Sequence, residues 1–257
     1  MSLLKSYEYS IIKRLITDQN FYNPVCLSLA PPESVNIRPF SYPWLLEVRS
    51  RVAVGDLLVQ HDVSDLSRLG IREAVGSQSH ILPSKPQLRM ARIKKDVLLL
   101  MYQMVDSTAG LKKKHSVRTR QIEFLEMLTP LELAKLGCFV KALGLGYSKH
   151  MELQPDPIKD RFTRERICVF EDKVLRYGPF FAWATIAGTE RARRWGRIIM
   201  LDGLNDLHDF ERGQSMAYAS LQSVVWNLFC KRAECNLADS WAIMKEMIDG
   251  QIDFDDA

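Results

Sequence analysis

The stretch from Thr129 to Pro179, TPLELAKLGCFVKALGLGYSKHMELQPDPIKDRFTRERICVFEDKVLRYGP, constrains the fold more than any other. It opens with a complete helix start. The Thr129 side chain is placed to accept from the Glu132 N–H, and the Glu132 carboxylate to accept from the Thr129 N–H. Pro130 takes the first helical position, where a missing N–H costs nothing. Leu133, Leu136, Val140 and Leu143 recur at helical spacing and give one apolar face. Gly144 and Gly146 are expected to end this helix, since glycine tolerates the left-handed backbone of a last turn. Asp156-Pro157 starts a second helix, with Ile158, Phe162, Ile167, Phe170 and Val174 as its apolar line and Gly178-Pro179 as its stop. The reading is a buried helical hairpin without reactive chemistry.

The same punctuation organises the rest of the chain. Leu3, Leu4, Tyr7, Ile11, Ile12, Leu15 and Ile16 predict an amphipathic helix over 3–16. From Phe21-Tyr22-Asn23-Pro24 to Pro43 the prolines exclude helix, while the aromatics suggest a loop packed on the body. A short helix is predicted from Pro43, carrying Leu46 and Val52 inward. Gly55, Gly70, Gly76, Pro83 and Pro86 then break 55–86 into short helices and loops.

Gln87 to Val105 reads as a helix through Met90, Ile93, Val97, Leu100, Met101 and Met104, closed at Ala109-Gly110. Lys112, Lys113, Lys114 and His115 form an exposed connector, and Ile122, Leu125 and Leu128 lead into the hairpin. Thr189 caps a helix through Trp195, Ile198, Ile199 and Leu207, broken at Gly213. Another covers 215–232 with Met216, Leu221, Val224, Val225, Leu228 and Phe229. Asn236 caps the last helix, with Asp239 three residues on, Leu237, Trp241, Met244 and Ile248 facing in, and Gly250 ending it. The acidic tail QIDFDDA is expected to fray. No segment alternates as a strand would. The fold class is therefore all-α, an irregular multi-helix globule of roughly eight to ten helices. It reads as a single helical domain over 1–257, with an N-terminal subdomain over 1–86, a helical body over 87–250 and the tail at 251–257.

Hydrophobic residues at 47% and charged residues at 26% of the 257 are ordinary for a water-exposed globule. No apolar run approaches the roughly 20 residues that span a bilayer. Lys5, Glu8, Lys13 and Arg14 interrupt the apolar N-terminus, so no signal peptide is read and the expected location is the cytoplasm. The cysteines (Cys26, Cys138, Cys168, Cys230 and Cys235) form no Cys-x-x-Cys pair. Neither a disulfide framework nor a zinc site is expected, and Cys138 and Cys168 read as small hydrophobes within helices. A net charge of +4 does not by itself imply nucleic acid.

Two polar clusters carry the candidate chemistry. In Asp202-Gly203-Leu204-Asn205-Asp206-Leu207-His208-Asp209, helical spacing puts Asp202 and Asp206 on one face and Asn205 and Asp209 on another. Oxygen ligands so spaced could hold magnesium against a diphosphate. Asn205-Asp206-Leu207 is similar to the second metal motif of class I terpene cyclases. That motif wants a hydroxyl and a carboxylate where this chain has Asp209 and Gly213, and its upstream aspartate-rich partner is missing. The simpler reading is a solvated acidic face balanced by Arg191, Arg193, Arg194 and Arg197. The second cluster is basic: Lys85, Arg89, Arg92, Lys94, Lys95, Lys112, Lys113, Lys114, Arg118 and Arg120, opposed by Asp96 and Asp106. Such a stripe can track phosphates, but Tyr102 is its one aromatic, which leaves no stacking platform for nucleic acid. It reads as a solvated face or a patch for an acidic protein.

His61, His80, His115, His150 and His208 are scattered and form no metal motif. Nucleophile-elbow, phosphate-loop and dinucleotide fingerprints are missing as well. No catalytic, cofactor-binding or metal residue is assigned, no cofactor is expected, and the chain reads as a non-enzyme. Some of Trp44, Trp183, Trp195, Trp226, Trp241 and the Phe21-Tyr22 and Phe180-Phe181 pairs could anchor a protein interface, where aromatics concentrate.

Three segments carry a family resemblance. They are Phe21-Tyr22-x-Pro24-x-x-Leu27-x-Leu29-x-Pro31, Leu131-Glu132-Leu133 with Leu136-Gly137, and Arg166-Ile167 through Leu175 to Gly178-Pro179 and Gly203-Leu204. Together they resemble the K-type accessory subunit of the bacterial type III secretion sorting platform, the SctK family, over roughly residues 20–35 and 125–205. The resemblance implies an all-helical, non-enzymatic cytoplasmic adaptor at the cytoplasmic face of the inner membrane. It would link the pod protein to the cytoplasmic domain of the inner-membrane ring protein, and indirectly reach the stator and ATPase, without inserting into the membrane. No catalytic residues follow from it.

Overall fold

The helix start at Thr129 forms as its residues dictate. The Glu132 N–H donates to Thr129 Oγ1 at 3.3 Å, and the Thr129 N–H donates to Glu132 Oε2 at 2.8 Å. A computed structural model of the chain describes residues 3–17, 29–31, 37–69, 85–151, 161–213 and 220–254. Among these there are ten α-helices and no strand, the all-α class that the punctuation and periodicity predict. In chain order they are α1 (Leu3–Thr17), α2 (Tyr42–Gln60), α3 (Lys85–Asp106), α4 (Lys114–Leu125), α5 (Pro130–His150), α6 (Arg161–Tyr177), α7 (Pro179–Ile186), α8 (Glu190–Glu211), α9 (Leu221–Arg232) and α10 (Leu237–Phe254). Two 3₁₀ turns, Asp62–Ser64 and Leu66–Leu69, follow α2.

Helix α5 is the axis. Residues 133–140 are buried without interruption, so the helix is enclosed on all sides rather than on one face. Helices α3, α6, α9 and α10 and both 3₁₀ turns pack around it. Tyr147 stacks on Phe170 of α6 with ring centroids 4.3 Å apart, and Phe170 meets Phe181 of α7 at 5.7 Å. Phe139, Phe170, Phe181 and Phe229 are all wholly buried around this axis.

Gly144 and Gly146 do not end α5, which runs on to His150. Both sit where other backbone or side chains come too close for a Cβ. At Gly144 a Cβ would lie 2.8 Å from Glu171 Cδ, and at Gly146 only 2.6 Å from Val63 Cα. Glycine here permits close crossing, a use that local sequence cannot tell from a stop.

Other expectations shift for related reasons. Helix α2 passes through Gly55, and it buries Trp44, Leu45 and Val48 while leaving Leu46 65% exposed. Phe162 and Leu237, expected inward, are exposed, as is Cys168, whereas Cys138 is buried. Helix α10 continues through Gly250 to Phe254. The Asp156-Pro157 start, Ile158, Met216, Cys26 and the Phe21-Tyr22 segment lie outside the described residues.

The caps at Thr189 and Asn236 form as read, with the Ala192 N–H on Thr189 Oγ1 at 3.4 Å and the Asp239 N–H on Asn236 Oδ1 at 2.9 Å. A smaller apolar cluster joins Ile12 of α1 to Trp44, Leu45 and Val48 of α2. Val54 and Leu58 at the other end of α2 belong to the main core, so this helix spans both clusters. Arg51 locks it to the end of α3 through two 2.7 Å bonds to Asp106, beside Tyr102.

Candidate functional site

Three consecutive charged residues on α6, Glu171, Asp172 and Lys173, are all buried, and each turns toward a different neighbour. Asp172 accepts from the Leu221 N–H at 2.8 Å, closing the start of α9, and lies 3.4 Å from Arg118 Nη1 of α4. Lys173 crosses α8 at Gly203, where any Cβ would collide with its Cε. Its ammonium reaches Asp206 at 3.5 Å and Asp202 at 4.0 Å. Lys114, at the start of α4, approaches the same carboxylates from outside at 3.7 and 3.8 Å. Burial, followed by the charge of Arg176, lowers the Lys173 pKa against the opposing pull of Asp172, Asp206 and Asp202.

Asp202 and Asp206 do share a face as their spacing requires, but two ammonium groups sit where a divalent cation would bridge them. Asn205 and Asp209 are exposed on a different side of α8. The balancing cations also differ from those expected. Arg193 and Arg197 engage Glu190, at 3.6 and 2.6 Å, while lysines from α4 and α6 serve the aspartates. Among the described residues no group of three or more His, Cys, Asp or Glu side chains is arranged to hold a metal ion.

Glu171 is wholly buried over Gly144. Lys141 Nζ stands 3.3 Å from Oε1 but out of alignment, so neither carboxylate oxygen has a well-directed donor. Burial pushes this carboxyl up to about 7, against the lowering influence of Lys141 and Gln222. A raised carboxyl pKa means the native state holds a proton that the unfolded chain has released. The penalty is therefore absent below about pH 4.5, grows as pH rises, and is complete above about 7. Glu171→Gln should raise the unfolding free energy at pH 8 by on the order of 3 kcal/mol and leave it nearly unchanged at pH 4.5. Urea unfolding of both forms at the two pH values checks this; equal effects at both would remove the buried-acid account.

Several described members of the basic stripe of 85–120 are engaged within the fold. Lys94 is buried against the Val59 carbonyl at 3.4 Å, Lys95 pairs with Asp56, Arg118 with Asp172 and Arg120 with Glu123. Arg92, Lys112 and Lys113 are exposed, and the side chains of Lys85 and Arg89 lie outside the described residues.

A different surface gathers apolar and basic groups. Along α8, Arg191, Arg194, Trp195, Ile198 and Leu201 recur at helical spacing and are all exposed, Ile198 and Leu201 each at 60%. Trp195 leans on Phe180 of α7 with centroids 5.5 Å apart, and Phe180 is itself 40% exposed. Large apolar groups so clustered make this surface a candidate for contact. The sequence offers Trp195 and Phe180 only among a larger set of aromatics, some of which could anchor an interface, and it does not point to Ile198 or Leu201 as surface residues. An apolar line at helical spacing is normally assigned to the core, and only the packing shows that α8 buries Gly196, Met200, Gly203 and Leu204 instead.

No protein-family model, curated protein or solved structure matches this chain. Among the described residues behind the SctK resemblance, several have packing roles in this fold. Leu133 and Leu136 are core, Gly137 faces Met244 and Val225, and Gly203 admits Lys173. Among the described residues no helix is long and apolar enough to cross a membrane.

Proposed function

We propose that this chain is a protein–protein adaptor of the kind the SctK resemblance implies. It would be a cytoplasmic component of a type III secretion apparatus, joining the sorting-platform pod protein to the cytoplasmic domain of the inner-membrane ring. The observation that carries the adaptor reading is the α7–α8 face, where Phe180, Trp195, Ile198 and Leu201 stand exposed among Arg191 and Arg194. Aromatic and arginine anchors dominate the energetics of protein interfaces, and the surrounding arginines favour a partner surface that is apolar and acidic. The lysine-filled Asp202–Asp206 pair and the partly engaged basic stripe give less support to diphosphate chemistry or nucleic-acid binding.

The test is capture of tagged pod and ring proteins by the purified chain. Ile198→Asp with Leu201→Asp should weaken capture by roughly 30-fold or more, the loss of about 2 kcal/mol typical of a hot spot. Its thermal unfolding should be unchanged, because both side chains are exposed. If neither pod nor ring protein is retained by the unmodified chain, the secretion assignment fails. Retention that the double variant leaves intact removes this face from the interface.

A further inference from the structure

We propose that the cleft between the end of α5, α6, α7 and the first half of α8 is a binding site for a phosphate monoester carried on a compact apolar body. The cleft holds about 370 Å³, within the range of small-ligand sites. Its floor is apolar: Tyr147, Ile186 and Leu204 line it and are themselves buried. Three guanidinium groups line it as well, Arg166 of α6 and Arg193 and Arg197 of α8, with Glu190 as the one carboxylate among the lining residues. Three positive charges against one negative leave two, which matches a phosphate monoester dianion.

Two further observations point to an anionic head. Arg166 Nε is buried and has no hydrogen-bond partner, so the fold does not itself satisfy this guanidinium. The Arg166 guanidinium lies over the Phe162 ring at 4.5 Å, which restrains its orientation. Second, Arg193 and Arg197 already hold one carboxylate, that of Glu190, at 3.6 and 2.6 Å. The pair is thus arranged to grip oxyanions, and guanidinium forks suit phosphate as well as carboxylate. Glu190 is a surface side chain at the first position of α8, so a ligand head can take its place without disturbing the core. The apolar floor beneath gives an aromatic or aliphatic body a surface to cover. Leu201 lines this cleft as well as standing on the proposed adaptor face, but the two readings are tested apart, because binding here is measured on the chain alone.

Calorimetric titration at low salt with phenyl phosphate, inorganic phosphate and benzyl alcohol tests the assignment. Phenyl phosphate is expected to bind saturably, roughly tenfold more tightly than inorganic phosphate, with no detectable heat from benzyl alcohol. Arg193→Gln with Arg197→Gln, both surface positions, should weaken phenyl phosphate roughly tenfold or more. Glu190→Gln should instead tighten it several-fold by removing the competing carboxylate, a gain that a merely structural role would not produce. Arg166→Gln should weaken it to a similar extent as the double variant, with the unfolding transition monitored alongside. Absence of saturable binding at about 10 mM phenyl phosphate, near the weakest affinity such a site would show, overturns the proposal. So does affinity indifferent to the arginine variants, or inorganic phosphate binding as tightly as the phenyl ester.

Discussion

Asp106→Ala is expected to cost about 3–5 kcal/mol of unfolding free energy, the loss typical of stripping one partner from a buried ion pair. Arg51 and Asp106 are only 6% and 7% exposed and meet through two parallel bonds of 2.7 Å. The remaining contacts of Arg51 are Glu47 at 2.8 Å, the Leu29 carbonyl at 3.4 Å and the Tyr102 face at 4.9 Å. Glu47 keeps a negative charge on Nε, but its side chain is 40% exposed and it does not replace the two bonds that Nη1 and Nη2 make to Asp106, and the guanidinium cannot shed its proton to escape. The pair also joins the middle of α2 to the last turn of α3, so its loss loosens the seam between them. Removing both members tells a different story. Arg51→Met with Asp106→Leu leaves no stranded charge, and its cost should fall well below that of Asp106→Ala, with a neutral or stabilising outcome in reach. Urea unfolding at pH 7 of the single and double variants measures the difference directly. A cost below about 1 kcal/mol for Asp106→Ala would mean that water reaches the pair and that α2 and α3 are not sealed there.

That ion pair also shows what local pattern cannot reach. Its members lie 55 residues apart, and nothing in the neighbourhood of either distinguishes it from a solvated charge. Features written within one turn of helix were legible: the Thr129–Glu132 box, the Thr189 and Asn236 caps and the shared face of Asp202 and Asp206 each depend on spacings of three or four residues. Features that depend on what crosses a helix from outside were not. The Glu171-Asp172-Lys173 run looks like an ordinary solvated patch by composition. The signal available was the company it keeps, since Val169, Phe170, Val174 and Leu175 surround it and no side of that segment is left for water. The same limit explains the site on α8. Helical spacing puts Ile198 on the apolar line with Trp195, Ile199 and Leu207, yet Ile198 faces out, as does Leu201, because Gly196, Gly203, Met200 and Leu204 already fill the inner side.

The glycines of α5 turn this distinction into a measurement, since three of them lie in one helix with three different surroundings. Gly137→Ala places a Cβ at 3.5 Å from Met244 Sδ and Val225 Cγ1, ordinary contact distances. Relief of glycine's backbone entropy should then dominate, and a gain of about 0.5–1 kcal/mol is expected. Gly144→Ala meets the Glu171 carboxyl, the end of a side chain that can swing aside within a packed interior, so a loss of roughly 1–3 kcal/mol follows. Gly146→Ala meets main chain. Its Cβ would lie 2.6 Å from Val63 Cα and closer still to the Val63 carbonyl oxygen, in the 3₁₀ turn Asp62–Ser64. Backbone on both sides cannot rotate away, so either α5 or the turn must move, with the packing of Leu58, Leu66 and Tyr147 around it. The expected cost is about 3 kcal/mol or more, at or above the upper end of overpacking effects. Had these glycines merely ended a helix, alanine at 144 and 146 would behave alike, and neither would respond to what lies across the interface. Denaturant unfolding of the three variants should order them as Gly137→Ala, Gly144→Ala and Gly146→Ala from most to least stable. A Gly146→Ala variant as stable as Gly137→Ala would show that the turn after α2 does not rest on α5, and the central position of that helix would have to be abandoned.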